Sequence, residues 1–287
     1  MNPFVKRLLQ NTTKTIMSKR KLNDYAGFEK VLKEAKNIVA LTGAGISAES
    51  GIPVFRGAGG LWRNYQATSL ATPEAFRANP SLVWEFYQYR RNVAFNAQPN
   101  NAHKALAILE DECKRKKNNF AVITQNVDGL HKRAGSEEIV ELHGALDKII
   151  CTKCKHIEVN LDSPVCEALK DRGDPNNLNQ EPIMIKDLPK CKKCDSLARP
   201  YIVWFGESLD PQVMEKARNL VENCDLCLII GTSSVVYPAA MFAPSVLERG
   251  KPVAEFNISE EPANEGFTFH FSGKCGTTLP KALGIDL

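Results

Sequence analysis

The sequence predicts an α/β fold: a Rossmann-like, doubly wound parallel sheet with a smaller inserted zinc-binding domain. Three observations carry this. Short aliphatic runs without polar alternation recur along the chain, helical patterns separate them, and two Cys-x2-Cys pairs interrupt the order in the second half. Unalternated strands belong to sheets covered on both faces. Strand–helix alternation gives the doubly wound connection.

Residues 1–23 stand apart. They hold six of the 37 Lys and Arg residues and none of the 33 acids, so the rest of the chain is slightly acidic. A basic, hydroxyl-rich segment with Phe4, Leu8, Leu9 and Ile16 reads as a mitochondrial transit peptide, or as a disordered basic leader. The body has no basic surplus, so nucleic acid is not an expected partner. No apolar run approaches the roughly 18 residues that would cross a membrane. Without a secretory signal, nine cysteines point to metal or buried thiols rather than a disulfide framework.

The aliphatic runs are "NIVALTGAG" (37–45), "FAVITQNVD" (120–128), "LCLIIGTSS" (226–234) and "PVAEFNIS" (252–259), with helical patterns at 27–36, 102–117, 211–223 and 238–249. Each run ends in small or polar residues, at the strand end where open α/β sheets bind ligands. In the first, Gly43, Gly45 and Ala48 satisfy G-x-G-x-x-G/A, which lets backbone approach a pyrophosphate. A tight turn with no ligand fits the same residues. The following "ESGIPVFRGAGGLWRNY" is broken by Pro53, Gly57, Gly59 and Gly60, where a dehydrogenase would have a regular helix. Hydride transfer is therefore disfavoured.

"TQNVDGLH" (124–131) presents Gln125, Asn126 and Asp128 at a strand end. These groups suit sugar hydroxyls and a carboxamide, although an Asx-rich turn also accounts for them. His143 in "VELHGAL" has the pKa range of a general base, provided it reaches a bound ligand. Cys151-x2-Cys154 and Cys191-x2-Cys194 have the spacing of two zinc knuckles. Four thiolates close the shell of a zinc ion, so the metal is expected to be structural. Cys166 and the remaining cysteines read as core or incidental thiols. The stretch "WEFYQYRRN" (84–92) reads as a helix whose apolar residues share no clean stripe. Tyr87 and Arg90, three apart, share a face. Arg91 is expected to point to solvent.

Together, "GAGISAESGIPVFRG", "TQNVDGLH", "ELHG", the paired Cys-x2-Cys, "WFGE" (204–207), "GTSS" (231–234) and "EFN" (255–257) resemble the sirtuins, the NAD-dependent protein-lysine deacylases. The motifs run in the same order from about Leu41 to the C-terminus. The resemblance implies a Rossmann-like NAD-binding part (24–150 and 201–287) and a zinc module (151–200), with parts of 55–100 on the acyl side of the cleft. It implies one structural zinc and NAD consumed as co-substrate. It also implies acyl-lysine proteins as partners, among them mitochondrial metabolic enzymes. A monomer or weak homo-oligomer is expected, in the mitochondrial matrix with cytosolic and nuclear pools.

Roles follow position by position. Gly43, Ala44, Gly45, Ser47, Glu49 and Pro53 would wrap the NAD, with Phe55 and Arg56 near its pyrophosphate and nicotinamide and Trp62 closing the loop. Gln125, Asn126, Val127 and Asp128 would hold the ribose and carboxamide, and Asn126 and Asp128 would share catalysis with the base His143. Gly231, Thr232 and Ser233 would meet the phosphates and adenosine. Asn257, Ile258 and Ser259 would meet the adenosine ribose, and the backbone near Cys275 the adenine. Val203, Phe205, Gly206, Glu207, Val236 and Tyr237 would pair with the substrate backbone.

In the reaction so implied, the acyl oxygen attacks the nicotinamide ribose as nicotinamide leaves. Water finally releases lysine and 2′-O-acyl-ADP-ribose. A Tyr-x-x-Arg pair, here Tyr87 and Arg90, marks the branch that prefers succinyl, malonyl and glutaryl groups and deacetylates weakly. Ala67 would leave room for the longer acyl chain. Val54 departs from the branch, which has a hydroxyl residue there. Protein mono-ADP-ribosyl transfer on the same scaffold, or non-catalytic binding of acyl-lysine or nucleotide, are the alternatives.

Overall fold

The computed structural model describes residues 21–54, 60–177 and 181–287. Twelve strands are present among them: β1 (Lys21–Leu22), β2 (Asn37–Thr42), β3 (Leu61–Trp62), β4 (Tyr65–Gln66), β5 (Asn119–Thr124), β6 (Ile139–Glu141), β7 (Gly144–Cys151), β8 (Ile157–Val159), β9 (Ala198–Ile202), β10 (Leu226–Ile230), β11 (Val253–Asn257) and β12 (Phe269–Ser272). Seven form one sheet in the order β1-β12-β11-β10-β2-β5-β6, with every pairing parallel. The order reverses direction at β2, whose neighbours are β10 and β5. That reversal is the switch point at which such sheets bind ligands.

The unalternated strands are explained by burial on both faces. Ile38 and Ala40 of β2 pack with Phe28, Ala102, Leu106 and Leu279, from the helices Tyr25–Glu34, Asn101–Arg115 and Cys275–Leu283. Val39 and Leu41 pack on the other side with Met214, Ala217 and Val221 of the helix Pro211–Asn223. Phe28 alone meets Phe256, Phe269 and Phe271 edge-on, with ring centroids 5.4 to 5.9 Å apart. The Rossmann-like expectation therefore matches the observed sheet.

A second, three-stranded antiparallel sheet places β7 between β8 and β9. It begins at Gly144, whose φ is +82°. A Cβ there would lie 2.0 Å from the Tyr201 carbonyl oxygen, so only glycine fits. This sheet shares a core with the helix Pro80–Asn96, through Trp84, Phe86, Leu146, Ile149 and Ala198. Asn79 caps that helix by accepting from the Leu82 N–H at 3.0 Å, and Pro80 opens it. The helix has no clean apolar stripe because Val83 to Gln88 and Arg91 are all buried. A helix covered on all sides carries no amphipathic period.

Arg91 corrects the expectation of a solvent-facing side chain. It is 1% exposed, and its guanidinium donates to the carbonyls of Leu146, Asn160 and Asp162 and to the Asn160 side chain. One residue is about 100° of helix rotation, which on a covered helix leads into a neighbour rather than into water.

Candidate active site

The carboxyl ends of β2, β10 and β5 open into a cavity of about 740 Å³, within the range of small-molecule sites. The glycine turn after β2 is pressed against the end of β10. The Gly43 N–H donates to the Ile230 carbonyl at 3.0 Å and the Gly45 N–H to the Gly231 carbonyl at 2.7 Å. A Cβ on Gly45 would come within 2.7 Å of the Gly231 oxygen, so the close approach requires glycine at this position.

Gln125 and Asn126 follow β5. The Gln125 amide donates to the Thr232 hydroxyl at 3.1 Å, bridging the two strand ends. The Asn126 amide donates to the Gly43 carbonyl at 2.9 Å and to Ser47 Oγ at 3.1 Å. Ser47 in turn donates to Asp128 at 2.8 Å, and the other Asp128 oxygen accepts the Leu130 N–H at 2.8 Å. Burial raises the Asp128 pKa against these stabilising donors. Asn126, Ser47 and Asp128 thus form one interlocked polar corner.

His143 sits on the same wall, between β6 and β7. Its Nδ1 lies 3.0 Å from the Gln125 carbonyl oxygen. A carbonyl only accepts, so Nδ1 carries the proton and Nε2 is the acceptor atom of the ring. Burial lowers the pKa of His143, which keeps the imidazole neutral. Behind the wall, the His103 and His131 rings meet at a tilt of 60° with centroids 4.9 Å apart, and burial lowers their pKa values to about 2 and about 4. His103 Nε2 is 3.4 Å from Ser47 Oγ, and His131 Nε2 is 2.9 Å from Thr42 Oγ1.

Tyr87 and Arg90 meet the cavity together, as their spacing predicts. Tyr87 is fully buried, and its phenol oxygen accepts the Trp204 indole N–H at 2.8 Å, which leaves its own proton to donate. Burial raises the Tyr87 pKa and lowers that of Arg90, while each favours the charge of the other. Val93, Ala94, Ala71 and Leu146 make the surrounding wall apolar. Ala94 is not among the sequence-predicted residues, although its spacing from Tyr87 and Arg90 puts it on the same helix face.

The other sequence-predicted residues divide clearly. Gly43, Ala44, Gly45, Ser47, Pro53, Val127, Asp128, Gly231, Thr232 and Ser233 line the cavity, as do Val203, Phe205, Gly206, Glu207, Val236 and Tyr237. Val54 lines it too. Phe55, Arg56 and residues 1–20 lie outside the described residues.

Ala67 is a correction. It is 2% exposed in the core, and Ala71, one helical turn on, holds the wall position. The Ala71 carbonyl also accepts the Phe205 N–H at 3.0 Å, joining the acyl side to "WFGE". Trp62 is a second correction. Its indole is buried against Phe86 and donates to the Gly173 carbonyl at 3.0 Å, away from the cavity.

Glu49, Asn257, Ile258, Ser259 and Cys275 are not on the cavity wall either. Glu49 accepts the Gly276 N–H at 2.8 Å, and Asn257 donates to the Thr232 carbonyl at 3.1 Å. Asn257 therefore ends β11 beside the cavity's Thr232, and Ile258 and Ser259 follow it with Ile258 exposed. Cys275 is buried, its thiol 3.6 Å from the Phe256 carbonyl. The signal missed for Trp204 was its place in "WFGE", where only the flanking residues were assigned.

The four cysteines converge at the end of the small sheet. All their sulfurs lie within 4.8 Å of one another, with Cys151–Cys194 at 3.5 Å and Cys154–Cys191 at 3.7 Å. A tetrahedral zinc with Zn–S of about 2.3 Å requires sulfurs about 3.8 Å apart, so the set fits that ion. Backbone N–H groups of Lys153, Cys154 and Lys193 point at the sulfurs, as thiolates need. Chelation is expected to lower the melting temperature of this protein by several degrees, as measured by differential scanning calorimetry. The chelated protein should also lose NAD-independent protease resistance between residues 151 and 200. An unchanged melting temperature after verified zinc removal would contradict a structural metal.

Residues 43–238 match the family model "Sir2 family". The NAD-dependent protein deacylase of Daphnia pulex is 57% identical over 264 residues, covering 91% of this chain and 96% of that protein. The dog protein named NAD-dependent protein deacylase sirtuin-5, mitochondrial (Canis lupus familiaris), is 52% identical over 267 residues, covering 92% and 86%. Among solved structures, a Sir2 homologue–NAD complex superposes with a TM-score of 0.76 at 40% identity, covering 92% of this chain and 94% of that one.

Proposed function

This chain belongs to the Sir2 family, and on that premise we propose that it removes acidic acyl groups (succinyl, malonyl and glutaryl) from protein lysines in an NAD-dependent reaction. One observation carries the acidic preference. A guanidinium and a phenol, Arg90 and Tyr87, meet an otherwise apolar wall of the cavity that also holds Asn126, Asp128 and His143. A guanidinium in low dielectric gives a carboxylate a bidentate, charge-assisted partner, and the Tyr87 proton adds a third donor. Acetyl offers no charge there and is the weaker substrate.

The polar strand ends suit NAD. The glycine turn of Gly43 and Gly45 gives close backbone access, while Gln125, Thr232 and Ser233 offer hydrogen-bonding groups for ribose and phosphate. Bound NAD supplies the ribose to which the acyl group passes as nicotinamide is released. Asn126 and Asp128, held by Ser47, orient the ribose hydroxyls and the attacking water. His143 Nε2 takes the proton from a ribose hydroxyl, with Nδ1 fixed by the Gln125 carbonyl. Closing both substrates into one cavity contributes proximity. A zinc held by Cys151, Cys154, Cys191 and Cys194 would have its four positions taken by thiolates and would serve the fold rather than the chemistry.

The dog and Daphnia pulex relatives are named as deacylases, and the dog relative as mitochondrial. The same activity and compartment fit this chain, with acyl-lysine proteins as its substrates. Cytosolic and nuclear pools and a monomeric or weakly associated state complete the proposal. The test incubates NAD with one peptide sequence carrying succinyl-, glutaryl-, malonyl-, acetyl- or unmodified lysine, and reads products by mass spectrometry. Acyl-ADP-ribose should form fastest from the three acidic peptides, with none from the unmodified one. Acetyl turnover equal to succinyl would refute the acidic preference.

A further inference from the structure

The helix Pro80–Asn96 has two opposed functions on its circumference. Tyr87, Arg90 and Ala94 meet the cavity. Ser81, Glu85, Gln88 and Asn92, spaced by four, three and four residues, form another stripe together with Arg91. This stripe is polar yet buried or partly buried, so each group needs a partner. Most of its partners come from the segment that carries the cysteines, with Arg63 and the Leu146 carbonyl added from outside it.

Glu85 accepts from Arg172 at 2.7 Å and pairs with Arg63 at 2.9 Å. Ser81 accepts the Ile183 N–H at 2.8 Å, and Gln88 accepts the Val165 N–H at 3.0 Å. Asn92 accepts from Ser163 at 3.0 Å. Arg91 makes the densest contact. Its Nη2 reaches Asn160 O at 2.8 Å, Asn160 Oδ1 at 2.8 Å and Asp162 O at 3.0 Å, while Nη1 donates to the Leu146 carbonyl. Leu146 itself lines the cavity. One guanidinium therefore ties the helix, a cavity wall residue and the 160–162 segment into a single unit.

We propose that Arg91 is a positioning residue for acyl selectivity. It holds the rotation of this helix against the cysteine-bearing module and thereby aims Tyr87 and Arg90 into the cavity. Among the described residues, the nucleotide end, built from β2, β5 and β10, has no hydrogen bond to Arg91. A change at Arg91 should therefore alter acyl preference and leave NAD use intact. The proposal rests on the reading that Tyr87 and Arg90 meet the acyl carboxylate.

The experiment measures kcat/KM for succinyl and acetyl peptides, and KM for NAD, in Arg91→Met, Arg91→Lys and Arg90→Met. In Arg91→Met the succinyl-to-acetyl ratio should fall about tenfold through the succinyl-peptide KM, because small misplacements of a binding group cost that much or more. KM for NAD should stay within about twofold, and Arg91→Lys, which retains part of the donor set, should recover part of the ratio. Parallel loss on both peptides, or an unchanged ratio, overturns the proposal. If Arg91→Met does not fold, Asn160→Ala, which deletes one acceptor outside the cavity, should shift the ratio the same way. An unchanged ratio there overturns it equally. If Arg90→Met also leaves the ratio unchanged, the acyl-clamp reading has failed. If only the Arg90 variant changes it, the inference about Arg91 has failed alone.

Discussion

His143→Tyr is expected to abolish deacylation of succinyl-, malonyl-, glutaryl- and acetyl-lysine alike, by a factor on the order of a thousand, the usual range for a positioned general base. The loss should be uniform because the base role proposed for His143, held by the Gln125 carbonyl, is exercised on the ribose that every acyl substrate shares. Nicotinamide release followed by chromatography is the direct measurement. Appreciable acyl-ADP-ribose formation by the variant would remove His143 from the base role. The pH profile gives a second check. Burial lowers the pKa of His143, so the neutral, proton-accepting form persists to more acidic pH than in a free imidazole. The acid limb of kcat/KM should therefore fall below about pH 6.5, the ordinary histidine value, and should vanish from any residual activity of the variant.

The sheet was legible because its strands are buried on both faces. Residues such as Ile38 to Leu41 then need no polar alternation, and their ends expose the chemical groups. The small sheet was less legible. Its strands β7 and β9 are separated by the long insertion between the cysteine pairs, and only Cys151 and Cys191, with their partners, announce it. The helix Pro80–Asn96 misled for a physical reason. Buried polar residues are invisible to a hydrophobic period, so Arg91 is expected in solvent although it is 1% exposed, with Glu85 on the same helix at 3%. Ala67 and Ala71 show a finer limit. Both lie in "ATSLATPEAF", and only the turn between them decides which small side chain reaches the cavity.

Arg90→Met should cost desuccinylation about a hundredfold in kcat/KM, the effect of removing one partner from a buried charge pair worth about 3 kcal/mol. Deacetylation should remain close to wild type, since methionine keeps the apolar bulk of the arginine stem and acetyl makes no demand on the charge. Tyr87→Phe should show a smaller change in the same direction, because the phenol proton offered to the acyl carboxylate is lost while the guanidinium stays. The comparison separates two causes of a loss. Damage to the fold would lower both activities together and lower the melting temperature. A missing carboxylate partner lowers only the acidic substrates and raises their KM. Equal loss on succinyl and acetyl peptides would mean that Arg90 serves the wall rather than the ligand, and the preference for acidic acyl groups would then lack its physical basis.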